Sequence, residues 1–148
     1  MKRVNDFQLL ADELSSLRNE EDGRRFIQEN HRDAQFQYFF EFLNHKAEEK
    51  GLPLAKIVAN SRINRNYVYN ITSGIKKMPG RDKIIALCIA AEISFDELNE
   101  ALMLGGKQTI NPHDARDVWI VICINRKISD VLRVNIFLEE KNCAPLNI

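Results

Sequence analysis

Residues 81–102 return later in the chain as residues 116–138. Arg81, Asp82, Ile85, Cys88, Ile89, Ile93 and Ser94 recur 35 positions on as Arg116, Asp117, Ile120, Cys123, Ile124, Ile128 and Ser129. After one extra residue, Leu98, Asn99 and Leu102 recur as Val134, Asn135 and Leu138. The apolar spacing in each copy is helical, so the echo reads as one helical hairpin made twice, its two units stacking their apolar faces. Cys88 and Cys123 become matched core positions rather than redox or metal groups. Three cysteines without a CxxC spacing indicate neither a disulfide framework nor a zinc site.

The segment Val118–Ile124 tests this reading. It is a continuous apolar run of seven residues, short and β-branched, which favours a buried strand. Nothing else in the chain offers a partner strand, and its counterpart around Ile84–Ile89 reads as helix. A helix apolar on nearly all sides is therefore expected, covered on more than one face by N-terminal helices or a second subunit. Seven residues also fall far short of the ~18 that a membrane span needs, and no apolar leader follows Met1.

Upstream the period is again helical. Phe36, Phe39, Phe40, Leu43 and Ala47 share one face of a helix that Gly51 ends, with Tyr38 and Phe42 off the stripe. Phe7, Leu10, Leu14 and Leu17 mark an N-terminal helix, and Arg24–Glu29 a short second one. Beyond Gly51 the chain is punctuated by Pro53, Gly74, Pro79-Gly80 and Pro112. Ser94 with Glu97 reads as a capping box, and Asn111-Pro112 as a cap and first-turn proline. The fold class expected is all-α.

Charge is informative only by segment. The 21 basic and 21 acidic side chains cancel, yet residues 51–83 hold seven Lys/Arg and one acid, Asp82. Such a patch on a neutral protein can attract an anion while its acidic flanks suppress non-specific contacts. Within it, residues 53–74 (PLAKIVANSRINRNYVYNITSG) read as two short helices joined by a tight turn. Ile57, Val58, Ile63, Val68 and Ile71 supply the apolar positions. Asn64, Arg65, Asn66, Tyr69, Asn70 and Ser73 are left outward on the second helix, with Asn66, Asn70 and Ser73 on one face. Asparagine can bond adenine bidentately and arginine guanine, which suits base edges in a major groove. Lys76 and Lys77 come next in the loop, placed for phosphates.

From about Ala34 to Leu104 the chain resembles the Cro/CI-type (XRE) helix-turn-helix domain of phage repressors and bacterial regulators. The resemblance rests on Ile57, Val58, Ile63, Val68 and Ile71, then Gly74, the basic pair Lys76-Lys77, and Pro79. It implies a five-helix core whose third helix, Asn64 to Ser73 here, enters the major groove of double-stranded DNA. Base contacts would fall on Arg65, Asn66 and Asn70, and backbone contacts on Asn64, Lys76 and Lys77. Residues 1–32 would then be an N-terminal helical extension, 33–108 the Cro/CI-like domain, and 109–148 an extra carboxyl-terminal helical hairpin packed on it. The sequence departs from the family pattern where Arg62 holds the turn position of a glycine, Val58 that of a small alanine, and Leu54 that of a phosphate-bonding polar residue.

The remaining constellations are weak. His31, His45 and His113 have no metal-ligand spacing, and Asp114 and Asp117 read as first-turn helix acids favoured by the macrodipole. No glycine-rich phosphate loop or catalytic triad is arguable, so no enzyme, cofactor, metal or small-molecule ligand is expected. The sequence leads to a cytoplasmic, DNA-binding transcriptional regulator. A homodimer is expected from surplus apolar faces on the carboxyl-terminal hairpin or the aromatic helix, and from palindromic operators with half-sites ~34 Å apart. The competing reading is a protein-interaction module whose repurposed helix-turn-helix docks an acidic partner.

Overall fold

The computed structural model describes residues 11–31 and 35–148, and all regular structure among them is helical. The chain divides between Gln37 and Tyr38 into two compact units. In the first, residues 11–16 are helical and α1 spans Glu20–His31. Asn19 starts α1 by accepting the Asp22 N–H at 2.8 Å, and Glu20, Glu21 and Asp22 fill a first turn where the helix dipole favours acids. Arg24–Glu29 is helical as expected, whereas Phe7 and Leu10 lie outside the described residues and Leu17 comes after the helical turn rather than continuing it.

The second unit holds α2 (Phe39–Glu49), α3 (Leu54–Ser61), α4 (Arg65–Thr72), α5 (Arg81–Ala90), α6 (Phe95–Leu104), α7 (Ala115–Asn125) and α8 (Val131–Glu140). Its centre is α5, in which every residue from Ile84 to Ala90 is buried. Such a helix must be walled on all sides. Contacts from α3, α6 and α8 do this. The expectation of all-round burial for Val118–Ile124 therefore needs correction. The segment is helical, within α7, but only Ile120, Cys123 and Ile124 of it are buried, while Val118 is exposed. The wholly apolar environment belongs to its first-copy counterpart.

The aromatic stripe is also rotated from its expected position. On α2 the buried residues are Phe39, Phe42, Leu43 and Lys46, while Phe40 and Ala47 are half-buried. The helix contacts both α4 and α6, so its buried arc centres between the two. Lys46, 3% exposed, sets its ammonium 2.8 Å from Glu97 and 3.5 Å from Glu49, with the Phe42 ring beneath it at 5.5 Å. Burial alone would raise the Glu97 pKa, but Lys46 and the Ser94 N–H outweigh it and hold the carboxyl low. Glu97 also closes the expected capping box, accepting from the Ser94 N–H while Ser94 Oγ accepts from Glu97 N–H.

One cap moved. Asn111 Oδ1 accepts the His113 N–H in a local turn, and Asp114 caps α7 by accepting from Arg116 and Asp117. Asp117 stands in the first turn of α7 as expected, and there it is 3% exposed and bonded to Arg81. His45 lies 3.3 Å from Glu49, and His113 is exposed. Cys88 and Cys123 are both fully buried, and burial raises both thiol pKa values. Among the described residues no helix is long and apolar enough to cross a membrane, and no cluster of His, Cys, Asp and Glu could hold a metal.

Candidate nucleic-acid interface

The chemistry-bearing helix α4 is fixed from behind. Val68 and Ile71 are fully buried, and Ile57 of α3 and Ile63 of the turn close the same core. Arg62 makes the turn, with φ of 63° in the left-handed region. Asn64 then caps α4, its side-chain oxygen accepting from Asn66 N–H at 2.8 Å and Tyr67 N–H at 3.3 Å. The helix is thus one residue shorter at each end than the expected Asn64–Ser73, with Asn64 and Ser73 as its caps. Asn64 commits its oxygen to the helix start and keeps only its amide N–H groups for an outside acceptor.

At the far end, Asn44 Nδ2 of α2 donates to the Thr72 carbonyl at 2.9 Å, and the Lys76 N–H returns to the Asn70 carbonyl at 2.8 Å. Gly74 makes that return possible. Its φ is 86°, and a Cβ there would sit 2.9 Å from the Phe40 ring.

Fixed this way, α4 exposes Arg65, Asn66, Tyr69, Asn70 and Ser73. The side chains of Arg65, Asn66 and Asn70 make no hydrogen bond or ion pair with any described residue. Their donors and acceptors face outward on a helix packed from behind and capped at both ends. Tyr69 differs from these. It borders a groove of about 500 Å³ whose apolar lining includes Leu43, Leu52, Leu54 and Ile57. Leu54, at the position of a family phosphate contact, contributes apolar surface to this groove instead.

The two loop lysines are not equivalent. Lys77 Nζ folds back on the Gly74 carbonyl at 2.9 Å and lies 5.6 Å from the Tyr38 ring centre. Lys76 Nζ stands over the Tyr67 ring at 5.7 Å, with Lys83 Nζ 5.4 Å from the same ring. One half-buried tyrosine therefore holds two ammonium groups near the amino-terminal turn of α5.

The basic patch is smaller in space than along the chain. Arg62 is bound by Asp130, Arg81 by Asp117, and Asp82 by Arg116. Sequence reasoning missed all three pairs, because each spans more than 30 residues. Lys56, Arg65, Lys76, Lys77 and Lys83 form no ion pair among the described residues. Two apolar residues were also missed, Ile75 and Met78, which stand 76% and 52% exposed on either side of the lysine pair.

No protein-family model matches this chain, and neither does any curated protein or solved structure.

Proposed function

We propose that the chain is a sequence-specific double-stranded DNA-binding protein of Cro/CI-like helix-turn-helix type, acting as a transcriptional regulator in the cytoplasm. Helices α2–α6 form the five-helix core of this reading, α3 and α4 the helix-turn-helix, and α4 the helix that enters the major groove. One observation carries it. Arg65, Asn66 and Asn70 present unsatisfied guanidinium and amide groups on a helix locked by Val68, Ile71 and caps at both ends. Those side chains have the donor and acceptor sets that discriminate bases. Lys76 is placed beside them for a phosphate, and Asn64 can add an amide donor.

The test is an unbiased selection of duplex sites, then a mobility shift at ~150 mM salt, where the non-specific electrostatic term is weak. Enrichment of one sequence supports the reading. Failure to retain any duplex even at low salt removes it, and binding of an acidic protein through Lys76 would put an interaction module in its place.

A further inference from the structure

We infer that the second hairpin, residues 116–147, stands in within one chain for a second copy of residues 81–111. The face carrying Arg81, Asp82, Ile85 and Cys88 is a self-association surface, and its partner is supplied in cis. This inference goes beyond the DNA-binding reading and does not depend on it.

A twofold interface between identical units has one diagnostic property: if residue i of one unit meets j of the other, then j of the first meets i of the second. The two hairpins have it. Arg81 of the first bonds Asp117 of the second at 2.8 and 3.1 Å. Arg116, the counterpart of Arg81, bonds Asp82, the counterpart of Asp117, at 2.9 and 3.2 Å. The tails repeat the exchange. Asn111 N–H donates to Asp117 Oδ2 at 2.8 Å, and Asn147 N–H donates to Asp82 Oδ2 at 2.8 Å. Each arginine also holds the tail of its own hairpin, Arg81 on the Gln108 and Thr109 carbonyls and Arg116 on those of Ala144 and Pro145.

The correspondence extends into each copy. Asn99 Oδ1 accepts the Ile110 N–H at 2.9 Å, and Asn135 Oδ1 the Leu146 N–H at 2.7 Å. The bends match as well: Ile93 N–H reaches the Cys88 carbonyl and Ile128 N–H that of Cys123, past left-handed Glu92 and Lys127. Helix contacts cross in the same way, α6 on α7 and α5 on α8. The Arg–Asp pairs meet at the amino-terminal ends of α5 and α7. At the opposite ends a cleft of about 200 Å³ is lined by Ile89 with Ile124 and Ile93 with Ile128. The pseudo-twofold axis therefore runs alongside the two helices.

The register slips one residue earlier than the sequence echo implied. Ser94 caps α6, but its counterpart is Asp130, which caps α8, and Ser129 is the inserted residue. Outside the seam the copies diverge, Asp96 and Glu100 being replaced by Leu132 and Ile136. Part of the apolar surplus that led to an expected homodimer, Ile120, Cys123, Ile124, Val134 and Leu138, is buried inside the chain, so no second chain is needed to cover this face. Val118, Leu132 and Ile136 stay exposed on the outer side of the same hairpin.

With the exposed apolar residues outside the seam removed by Leu132→Glu and Ile136→Glu, sedimentation velocity of the full chain, from micromolar to hundreds of micromolar, should show one species near the 17.1 kDa of the single chain. The matched variants Asp82→Asn and Asp117→Asn should each remain monomeric and lower Tm by comparable amounts, about 5 °C. A concentration-dependent dimer of the Leu132→Glu, Ile136→Glu chain overturns the inference. So does a large loss for one matched variant with none for the other, since each aspartate holds both an arginine and a tail N–H of the other copy. If either aspartate variant fails to fold, the sedimentation of the Leu132→Glu, Ile136→Glu chain still decides.

Discussion

The Arg62 guanidinium grips the Asp130 carboxylate with two parallel hydrogen bonds, Nε to Oδ1 at 3.0 Å and Nη2 to Oδ2 at 2.8 Å. Arg62 makes the turn between α3 and α4, and Asp130 caps α8 through the Leu132 N–H. The pair therefore ties the turn that aims α4 to the start of the last helix. A glycine at position 62 would relieve the left-handed backbone but lose this tie.

The Arg62 hydrogen bond, foremost, and its charge hold Asp130 below the ordinary carboxylate pKa, so the sign of the pH effect is fixed. The stabilisation is complete above the unfolded pKa of about 3.9 and disappears as pH falls through the lower folded value. Asp130→Asn keeps a good capping group and loses the charge. Urea midpoints for wild type and Asp130→Asn should differ by a constant amount at neutral pH and converge in acid. Asp130→Ala should lose roughly 1 kcal/mol more, through the cap. Curves that diverge on acidification would refute the pairing.

Base and phosphate contacts should separate by mutation. Asn66→Ala or Asn70→Ala should weaken binding to the selected site by about 1–3 kcal/mol and leave random duplex nearly unchanged. Lys76→Ala should weaken both alike and make the salt slope shallower by about one. Lys77→Ala should do less than Lys76→Ala, because its ammonium already bonds the Gly74 carbonyl. Fluorescence anisotropy across a salt series measures all four.

Lys46 gives a stability prediction independent of DNA. Removing one partner of a buried pair leaves the other charge uncompensated, so Lys46→Ala should destabilise by roughly 3 kcal/mol in urea. The double variant Lys46→Met with Glu97→Gln should recover part of that. A loss from Lys46→Ala no greater than that of an exposed lysine such as Lys56 would contradict the burial described.

Glu92 and Lys127 hold matched left-handed positions with φ of 60° and 63°. A non-glycine residue there costs roughly 1 kcal/mol, partly offset by the greater freedom glycine has when unfolded. Glu92→Gly and Lys127→Gly should both be neutral to stabilising, whereas Gly106→Ala should destabilise. Thermal melts of the three variants check the set.

Much of the fold could be read from local chemistry. The Ser94–Glu97 box arises from spacing within a few residues, while the helical state of Val118–Ile124 and the burial of Cys88 and Cys123 follow from the echo between two helical segments 35 positions apart. The α4 face was legible for the same reason, since Val68 and Ile71 fix which side chains turn out. What stayed hidden depends on long separations. Nothing beside Arg62 announces Asp130, and nothing beside Lys46 announces Glu97. Asn111-Pro112 misled because Asn111 bonds Asp117 through its backbone and uses its side chain in a turn, leaving the cap to Asp114.

Helix α5 has no outer side. One flank holds α3, which the Arg62 turn joins to α4, and another holds α8 of the second hairpin. A shared wall of this kind cannot yield in one room alone. Damage to the far hairpin, tens of residues from α4, should therefore lower stability and, if α4 binds DNA as proposed, weaken that binding with it. Temperature-sensitive alleles should map as densely to residues 116–146 as to α4.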